Sequence, residues 1–202
     1  MYRHGTVTPG WVARNETTFE YVDERYIEVL PVAGLSARGA SGGAWVNERG
    51  EVVGVQSSMM SLREIPQGLL FAAPLHAVRD LLHSRTDAVA ADMGLAVEEL
   101  WEKPPEVIRE YPASTRGLYV AAVVEDGPAA QAGLAVGSVI TAVEGRPVRF
   151  RDQLLRLMRT RPPGGTLRLT VITREAAGPR QVTVRLVPLK EVQQRTREGG
   201  KK

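Results

Sequence analysis

One serine in the sequence lies among glycines, in an arrangement that suits a nucleophile. Residues 39–43 read Gly-Ala-Ser-Gly-Gly, with Ser41 at the centre. A nucleophilic serine on a tight turn needs neighbours without side chains, because a substrate carbonyl must approach the amides that stabilise its oxyanion. Glycine-rich turns that contain serine are also common in structural loops. On their own, the five residues predict either acyl-transfer chemistry or an ordinary turn.

The base that such a serine needs is not evident in the sequence. A serine hydroxyl needs a general base, and the base needs an orienting acid. The three histidines are His4, His76 and His83. His76 and His83 stand seven residues apart near one face of a predicted helix, which is more typical of packing or solvent exposure, and His4 lies at the extreme N-terminus. None of them is expected to be the base.

Short β-type stretches separated by turn residues surround the serine. They are predicted at 6–13, 26–30, 44–47, 52–57 and 69–73. Residues 47–50 (Asn-Glu-Arg-Gly) predict a hairpin turn between two of them. Pro74 is predicted to begin a helix whose apolar residues share one face, and residues 84–88 are predicted to be a linker. This pattern favours an all-β sandwich or barrel over βαβ units.

The second half of the chain has a different character. Strands are predicted at 94–98, 118–124, 138–144, 166–173 and 181–187. Helices are predicted to follow Pro128, to span 151–160 and, more weakly, to occupy 105–111. These residues therefore predict a small α+β domain.

The composition excludes several classes of protein. Of the 202 residues, 43% are hydrophobic and 24% charged, which is an ordinary globular balance, and there is no cysteine for a thiolate site or disulfide. Aromatic residues are only 5%, which argues against a nucleic-acid surface of stacked rings. The net charge of +3 equals that of residues 189–202, which carry five basic and two acidic groups. We expect the polar residues 190–202 to form a disordered basic tail.

The serine loop and the residues after it resemble the active-site region of HtrA/Deg proteases, a trypsin-like serine protease family. The loop leads into residues 45–54 (Trp-Val-Asn-Glu-Arg-Gly-Glu-Val-Val-Gly), which are similar to the family's L-V-N-x-x-G-x-V-x-G hairpin. Residues 68–74 (Gly-Leu-Leu-Phe-Ala-Ala-Pro) resemble its G-x-G-F-A-I-P strand. The resemblance implies that Ser41 is the nucleophile and that the amides of Gly39 and Ser41 form the oxyanion hole. Ala40 and Leu70 depart from the family pattern.

Residues 92–189 resemble a PDZ domain of the HtrA type. Residues 125–140 follow the pattern P-x-S-P-A-x-x-A-G-L-x-x-G-D-x-I, and residues 144–148 stand where N-G-x-P-V is usual. A PDZ domain binds an extended peptide as an added strand and holds its terminal carboxylate with backbone amides. The resemblance places the carboxylate loop at Met93, Gly94 and Leu95. An acid, Asp92, precedes this loop and is expected to weaken the binding of free C-termini.

The far wall of the peptide groove is expected on the helix at 151–160. Its apolar residues Leu154, Leu155 and Met158 are candidate pocket residues. Each of them is at least as well explained as an ordinary core residue.

The predicted architecture is mainly β with an α+β part. Residues 1–86 are predicted to be the C-terminal barrel of a chymotrypsin-like double β-barrel with its closing helix, and residues 92–189 a PDZ domain. In the resembled family, His and Asp come from an N-terminal barrel, and the forty residues before Ser41 are too few for it. The chain is therefore expected to be a piece of a larger protein or a natural protein without that barrel, and both alternatives stay open.

The functional prediction is a serine endopeptidase of the HtrA/Deg type that acts through an acyl-enzyme on Ser41. The chain alone is expected to be inactive without the His/Asp barrel. The alternative is a non-catalytic, peptide-binding PDZ adaptor with a remnant protease barrel. No metal or cofactor is expected, and the expected partners are unfolded or C-terminal peptide segments, not nucleic acid or a membrane. The resemblance also suggests an extracytoplasmic location (periplasm or cell envelope) and leaves open a homo-oligomer formed through the N-terminal half.

Overall fold

The backbone contacts divide the chain between Ala88 and Val89. The computed structural model describes residues 7–174 and 178–199. No helix among these residues is long and apolar enough to cross a membrane. The domain limits 1–86 and 92–189 stay a prediction.

The described part of the first unit contains six strands and one helix. They are β1 (Gly10–Val12), β2 (Thr18–Val22), β3 (Arg25–Gly34), β4 (Ala44–Val46), β5 (Val52–Leu62), β6 (Ile65–Pro74) and α1 (Leu75–Ser84). All pairs are antiparallel, in the order β1-β3-β6-β5-β4, and β2 pairs with the first half of β3. The predicted hairpin at 47–50 is confirmed, because β4 pairs with β5 and the Gly50 N–H donates to the Asn47 carbonyl.

Two further hairpins were not predicted, because their turns contain no glycine. Asp23 and Glu24 join β2 to β3, and Arg63 and Glu64 join β5 to β6. The φ angles of these four residues lie between 48° and 67°. Two successive positive φ angles are the conformation of a type I′ turn, which matches the twist of the flanking strands. Because these turns were not predicted, strand β2 was not predicted either, and β3, β5 and β6 extend further than predicted.

The two edges of the first sheet meet through the ring of Trp45. The pairing order ends at β1 and at β4, so hydrogen bonds between described residues do not close a barrel. A Cβ placed on Gly10 of β1 would lie 2.6 Å from the Trp45 ring, which extends from β4. Glycine at this position therefore lets the ring rest against β1. The predicted barrel is an open sheet whose edge strands β1 and β4 come into contact at Trp45.

The described part of the second unit contains eight strands, four α-helices and one 3-10 turn. They are β7 (Ala91–Asp92), β8 (Leu95–Glu99), the 3-10 turn Leu100–Glu102, α2 (Pro105–Ile108), β9 (Leu118–Val123), α3 (Pro128–Gln131), β10 (Val139–Val143), β11 (Arg146–Pro147), α4 (Arg151–Arg159), β12 (Thr166–Ile172), β13 (Arg180–Arg185), β14 (Val187–Pro188) and α5 (Leu189–Gly199). The main sheet has the order β13-β12-β10-β9-β8, and β14 pairs separately with β7. The five strands predicted in this half are confirmed to within two residues, whereas α2 ends three residues earlier than predicted.

The core of the second unit follows from the alternation of its strands. In β12, Leu167, Leu169 and Val171 are fully buried, and the residues between them are exposed or half-buried. A period of two places every second side chain on the same face of a sheet. Buried residues of α3 and α4 pack against that face, so that strands and helices share one apolar cluster.

The predicted disordered tail is wrong for residues 190–199, which belong to helix α5. The Leu189 N–H donates to the Ala90 carbonyl at 2.9 Å, Val192 is buried, and the Arg195 side chain donates to the Asp126 carbonyl at 2.6 Å. These contacts fasten the helix to the start and the middle of the second unit. The helix is polar apart from Leu189 and Val192, so its sequence shows little apolar periodicity. Residues 200–202 lie outside the described residues.

Candidate active site and peptide-binding site

Glycines shape the loop that carries Ser41. Gly39 and Gly42 have φ angles of +93° and +85°, a region that other residues rarely adopt. The Gly42 N–H donates to the Gln56 carbonyl, and the Gln56 N–H donates to the Gly43 carbonyl, both at 2.8 Å. The loop is thereby fixed to strand β5.

The side chain of Gln56 strengthens this attachment. Gln56 is buried; its Oε1 accepts a hydrogen bond from the Trp45 indole N–H at 2.8 Å, and its Nε2 donates to the Ser58 carbonyl at 2.6 Å. A buried amide is tolerated when both its ends are satisfied, as they are here. The sequence analysis did not predict a role for Gln56. Its one distinguishing feature in the sequence is that it is an amide directly after the apolar residues 52–55.

Ser41 lies at an exposed turn beside an irregularity in β5. Its hydroxyl donates to the Ser57 carbonyl at 3.2 Å. The register between β5 and β6 shifts between Gln56 and Ser58, so Ser57 is the bulged residue, and a bulge re-aims the local backbone. The N–H groups of Gly39 and Ser41 have no acceptor among the described residues. One turn therefore combines a hydroxyl with two unpaired amides.

The described histidines are not hydrogen-bonded to this hydroxyl. His76, on α1, has its Nε2 2.9 Å from an oxygen of the buried Glu28 on β3. The other Glu28 oxygen accepts a hydrogen bond from Thr17 Oγ1 at 2.7 Å. His76 thus attaches α1 to the sheet through a carboxylate, and His83 lies on the same helix. His4 lies outside the described residues.

The predicted carboxylate loop follows strand β7. The carbonyls of Met93 and Gly94 accept hydrogen bonds from the N–H groups of Ala129 and Val124, at 2.9 and 2.8 Å. Met93 is buried, so its side chain belongs to the core. Asp92 Oδ1 accepts the Gly94 N–H at 2.7 Å. Burial raises the pKa of Asp92, and hydrogen bonds from the Gly94 and Met93 amides oppose this rise.

Strand β8 is an edge of the main sheet, and helix α4 lies next to it. The Arg151 N–H at the start of α4 donates to Glu99 Oε1 at the end of β8, at 3.0 Å. Leu95 and Leu155 are half-buried, whereas Leu154 and Met158 are buried in the core. An unpaired strand edge beside a helix is the arrangement in which a peptide adds as a further strand. Of the predicted apolar groove residues, Leu95 and Leu155 are the ones that keep exposed surface.

Among the described residues, no group of three or more His, Asp or Glu side chains is arranged to hold a metal ion.

Comparison with known families identifies the second unit. Residues 119–173 match the family described as PDZ domain. The match covers strand β9, helices α3 and α4 and most of the main sheet. PDZ domains bind peptides, in agreement with the open edge of β8.

Solved structures of an HtrA-type protease, AlgW, share the fold of this chain. The complex with a tripeptide has a TM-score of 0.70 at 24% identity, covering 90% of this chain and 60% of that chain. The complex with a decapeptide has a TM-score of 0.68 at 23% identity, covering 91% and 56%. The fold is thus mainly β, half of a chymotrypsin-like protease domain followed by a PDZ domain.

The curated relatives are bacterial proteases. The "Probable periplasmic serine endoprotease DegP-like" of Pseudomonas fulva (strain 12-X) is 31% identical over 170 residues, which are 82% of this chain and 35% of the relative. The protein of that name in Pseudomonas putida (strain W619) is 30% identical over 187 residues, 91% of this chain and 38% of the relative. The chain spans little more than a third of the length of these relatives. It is a relative of the HtrA/Deg serine proteases that carries the C-terminal half of the protease domain and one PDZ domain.

Proposed function

We propose that this chain supplies the nucleophile and the peptide-binding domain of an HtrA/Deg-type serine endopeptidase. The observation that carries the proposal is the Ser41 turn, where an exposed hydroxyl lies beside the unpaired amides of Gly39 and Ser41. Backbone amides at such a turn can stabilise the oxyanion of a tetrahedral intermediate, and one such donor is worth about a hundredfold or more in rate.

In this mechanism Ser41 Oγ attacks a peptide carbonyl, the C–N bond breaks as the amine leaves with a proton from the protonated base, and water then hydrolyses the acyl-enzyme. The hydrogen bond from the Ser41 hydroxyl to the Ser57 carbonyl must first break, so that the hydroxyl can transfer its proton to a base. In the family that base is a histidine of the N-terminal barrel, and we propose that it has the same source here. The anchored amide of Gln56 keeps the turn in place while the hydroxyl reorients.

The PDZ domain would bring protein segments to this site. An extended segment would pair with β8 and place an apolar side chain against Leu95 and Leu155. The AlgW structures were solved with a decapeptide and a tripeptide. We therefore propose unfolded or terminal peptide segments as partners. The names of the relatives support a periplasmic location, and a homo-oligomer formed through the N-terminal half of the protease domain belongs to the same proposal.

A second candidate function is a peptide-binding adaptor without catalysis. The observation that favours it is that the Ser41 hydroxyl donates a hydrogen bond to the Ser57 carbonyl and is hydrogen-bonded to none of the described histidines. In an adaptor, the open sheet would serve as a structural support for the PDZ domain.

Joining the chain to the N-terminal barrel of an HtrA relative distinguishes the two functions. We expect the joined protein to cleave β-casein, an unstructured protein, and Ser41→Ala to abolish the cleavage. The matched control is Ser61→Ala, which removes an exposed hydroxyl on the same sheet. The chain without that barrel should cleave at least a thousandfold more slowly, because triad members act as a unit. A correctly folded joined protein that binds peptides but leaves casein intact would favour the adaptor.

A further inference from the structure

The amide that the PDZ domain would offer to a peptide carboxylate is already used by the protein itself. Asp92 Oδ1 accepts the Gly94 N–H at 2.7 Å, and its carboxylate also receives a hydrogen bond from the Met93 amide. Both amides belong to the predicted carboxylate loop. A carboxylate therefore lies on this loop, and it is covalently part of the chain.

The surrounding structure fixes this arrangement. The Met93 and Gly94 carbonyls are held by Ala129 and Val124, so the loop cannot rotate freely about its peptide planes. Asp92 is the last residue of β7, whose pairing with β14 fixes its backbone. No lysine, arginine or histidine among the described residues forms an ion pair with Asp92, so its negative charge stays uncompensated at the loop.

A second carboxylate would meet two obstacles at this loop. The Gly94 N–H would have to leave Asp92, and the two negative charges would then lie within a few ångströms of one another, where they repel. An N–H donor meets neither obstacle, because the Asp92 carboxylate can accept a further hydrogen bond. A backbone amide of a continuing chain and a terminal carboxamide are both such donors.

We propose that Asp92 occupies the carboxylate position of the groove, so that this PDZ domain selects internal segments of unfolded chains over free C-termini. The proposal rests on the peptide-binding function proposed above and names its ligand class. Asp92 is thus a specificity-determining residue, and the side chain that follows β7 decides whether the groove binds chain ends or chain interiors.

The binding test uses decapeptides with three randomised apolar C-terminal positions, synthesised as free acids and as amides. The full chain should bind the acid pool no better than the amide pool. Asp92→Ala frees the Gly94 amide and should shift the acid-to-amide affinity ratio by about tenfold or more toward the acid, since a hydrogen bond to a charged group is regained. Asp92→Asn removes the charge but keeps an acceptor on the Gly94 amide, so it should shift this ratio in the same direction by less than Asp92→Ala does. Asp87→Ala removes an exposed acid outside the loop and should leave the ratio unchanged.

A second measurement reports the contact without any peptide. In NMR spectra of the full chain, the Gly94 amide proton should move upfield by several tenths of a ppm in Asp92→Ala but remain near its original position in Asp92→Asn. A wild-type preference for acids of tenfold or more, or a Gly94 resonance that Asp92→Ala leaves in place, would overturn the proposal. If no variant binds either pool, peptide binding itself fails, and the Gly94 resonance still decides whether Asp92 holds the loop.

Discussion

The two units bury their apolar residues very differently. In the second unit, residues from five of the six strands of the main sheet and from helices α3 and α4 enclose one continuous cluster. In the first unit, the buried cluster is small, with Val32, Leu70 and Ala72 at its centre. Trp11 is 70% exposed and Ile65 64% exposed on the same open sheet. The second unit thus has a self-sufficient core, whereas the first has apolar surface left over.

This difference suggests what the first unit needs. Complete burial of a large apolar side chain contributes about 1.5–3 kcal/mol, so several such side chains amount to a sizeable part of a domain's stability. Extensive exposed apolar surface is typical of an interface. In the proposed function, the N-terminal barrel of the protease domain would cover it, and the PDZ domain would need no such cover.

The largest effect should appear when the two units are separated. We expect residues 89–202 alone to be monomeric and to unfold in one cooperative thermal transition, because their core is complete. Residues 1–88 alone should self-associate and bind the dye ANS strongly. Size-exclusion chromatography with light scattering and calorimetry would measure both properties. A monomeric first unit with its own cooperative transition would show that both units have self-sufficient cores.

The same contrast explains how much could be predicted from the sequence. The alternation of Leu167, Leu169 and Val171, together with the helix start at Pro128, specifies elements of the second unit locally. In the first unit, the turn at Arg63-Glu64 consists of residues that carry no turn signal, and its conformation depends on the strands that it joins. The sequence therefore predicts those elements whose conformation depends on their own residues, and not those whose conformation depends on neighbouring strands.

The candidate sites show the same limit. The glycines of residues 39–43 predicted the turn around Ser41, because backbone conformation depends strongly on glycine. Its attachment through Gln56 depends on a side chain that reaches Trp45, eleven positions earlier in the chain, and on a bulge at Ser57. The contact of Asp92 with the Gly94 amide depends on a side-chain rotamer. Contacts of this kind require the folded structure.

A smaller effect should follow from filling the space beneath Trp45. In Gly10→Val, the Cβ would lie 2.6 Å from the indole ring and 3.0 Å from the Ala33 carbonyl oxygen. The indole is anchored to Gln56, so we expect a loss of about 1–3 kcal/mol from the first unit. Urea unfolding followed by tryptophan fluorescence would measure it.

A double-mutant cycle tests whether this loss comes from the ring. Trp45→Leu alone removes the Gln56 contact, but combined with Gly10→Val it should cost less than the sum of the two single changes. Strict additivity would show that the sheet edges do not meet through Trp45. The transition of the second unit should not change in any of these variants.

Helix α5 provides a test within the second unit. Val192→Ala removes two buried methyl groups, and we expect a loss of about 1–2 kcal/mol from the unfolding free energy of that unit. The matched control is Gln194→Ala, an exposed position on the same helix, which should change stability by less than about 0.5 kcal/mol. Calorimetry on both variants would decide. Equal, negligible effects would mean that α5 does not contribute to the core and that the second unit is complete at β14.

The smallest effect should be a pH-dependent one at Asp92. Burial raises the pKa of Asp92 in the folded protein above its ordinary value of about 3.9, so the folded chain binds this proton more tightly than the unfolded chain does. The ionised carboxylate therefore destabilises the second unit. This loss of stability is absent at pH values below the ordinary pKa, grows as the pH rises to the folded pKa and is constant at higher pH.

Asp92→Asn, which keeps the acceptor for the Gly94 amide, should raise the Tm at pH 7, and this increase in Tm should shrink as the pH falls toward 4. Thermal scans across this range, with Asp87→Asn as the exposed control, would measure it. A Tm that falls in Asp92→Asn at pH 7 would mean that the charged hydrogen bonds outweigh the cost of burial.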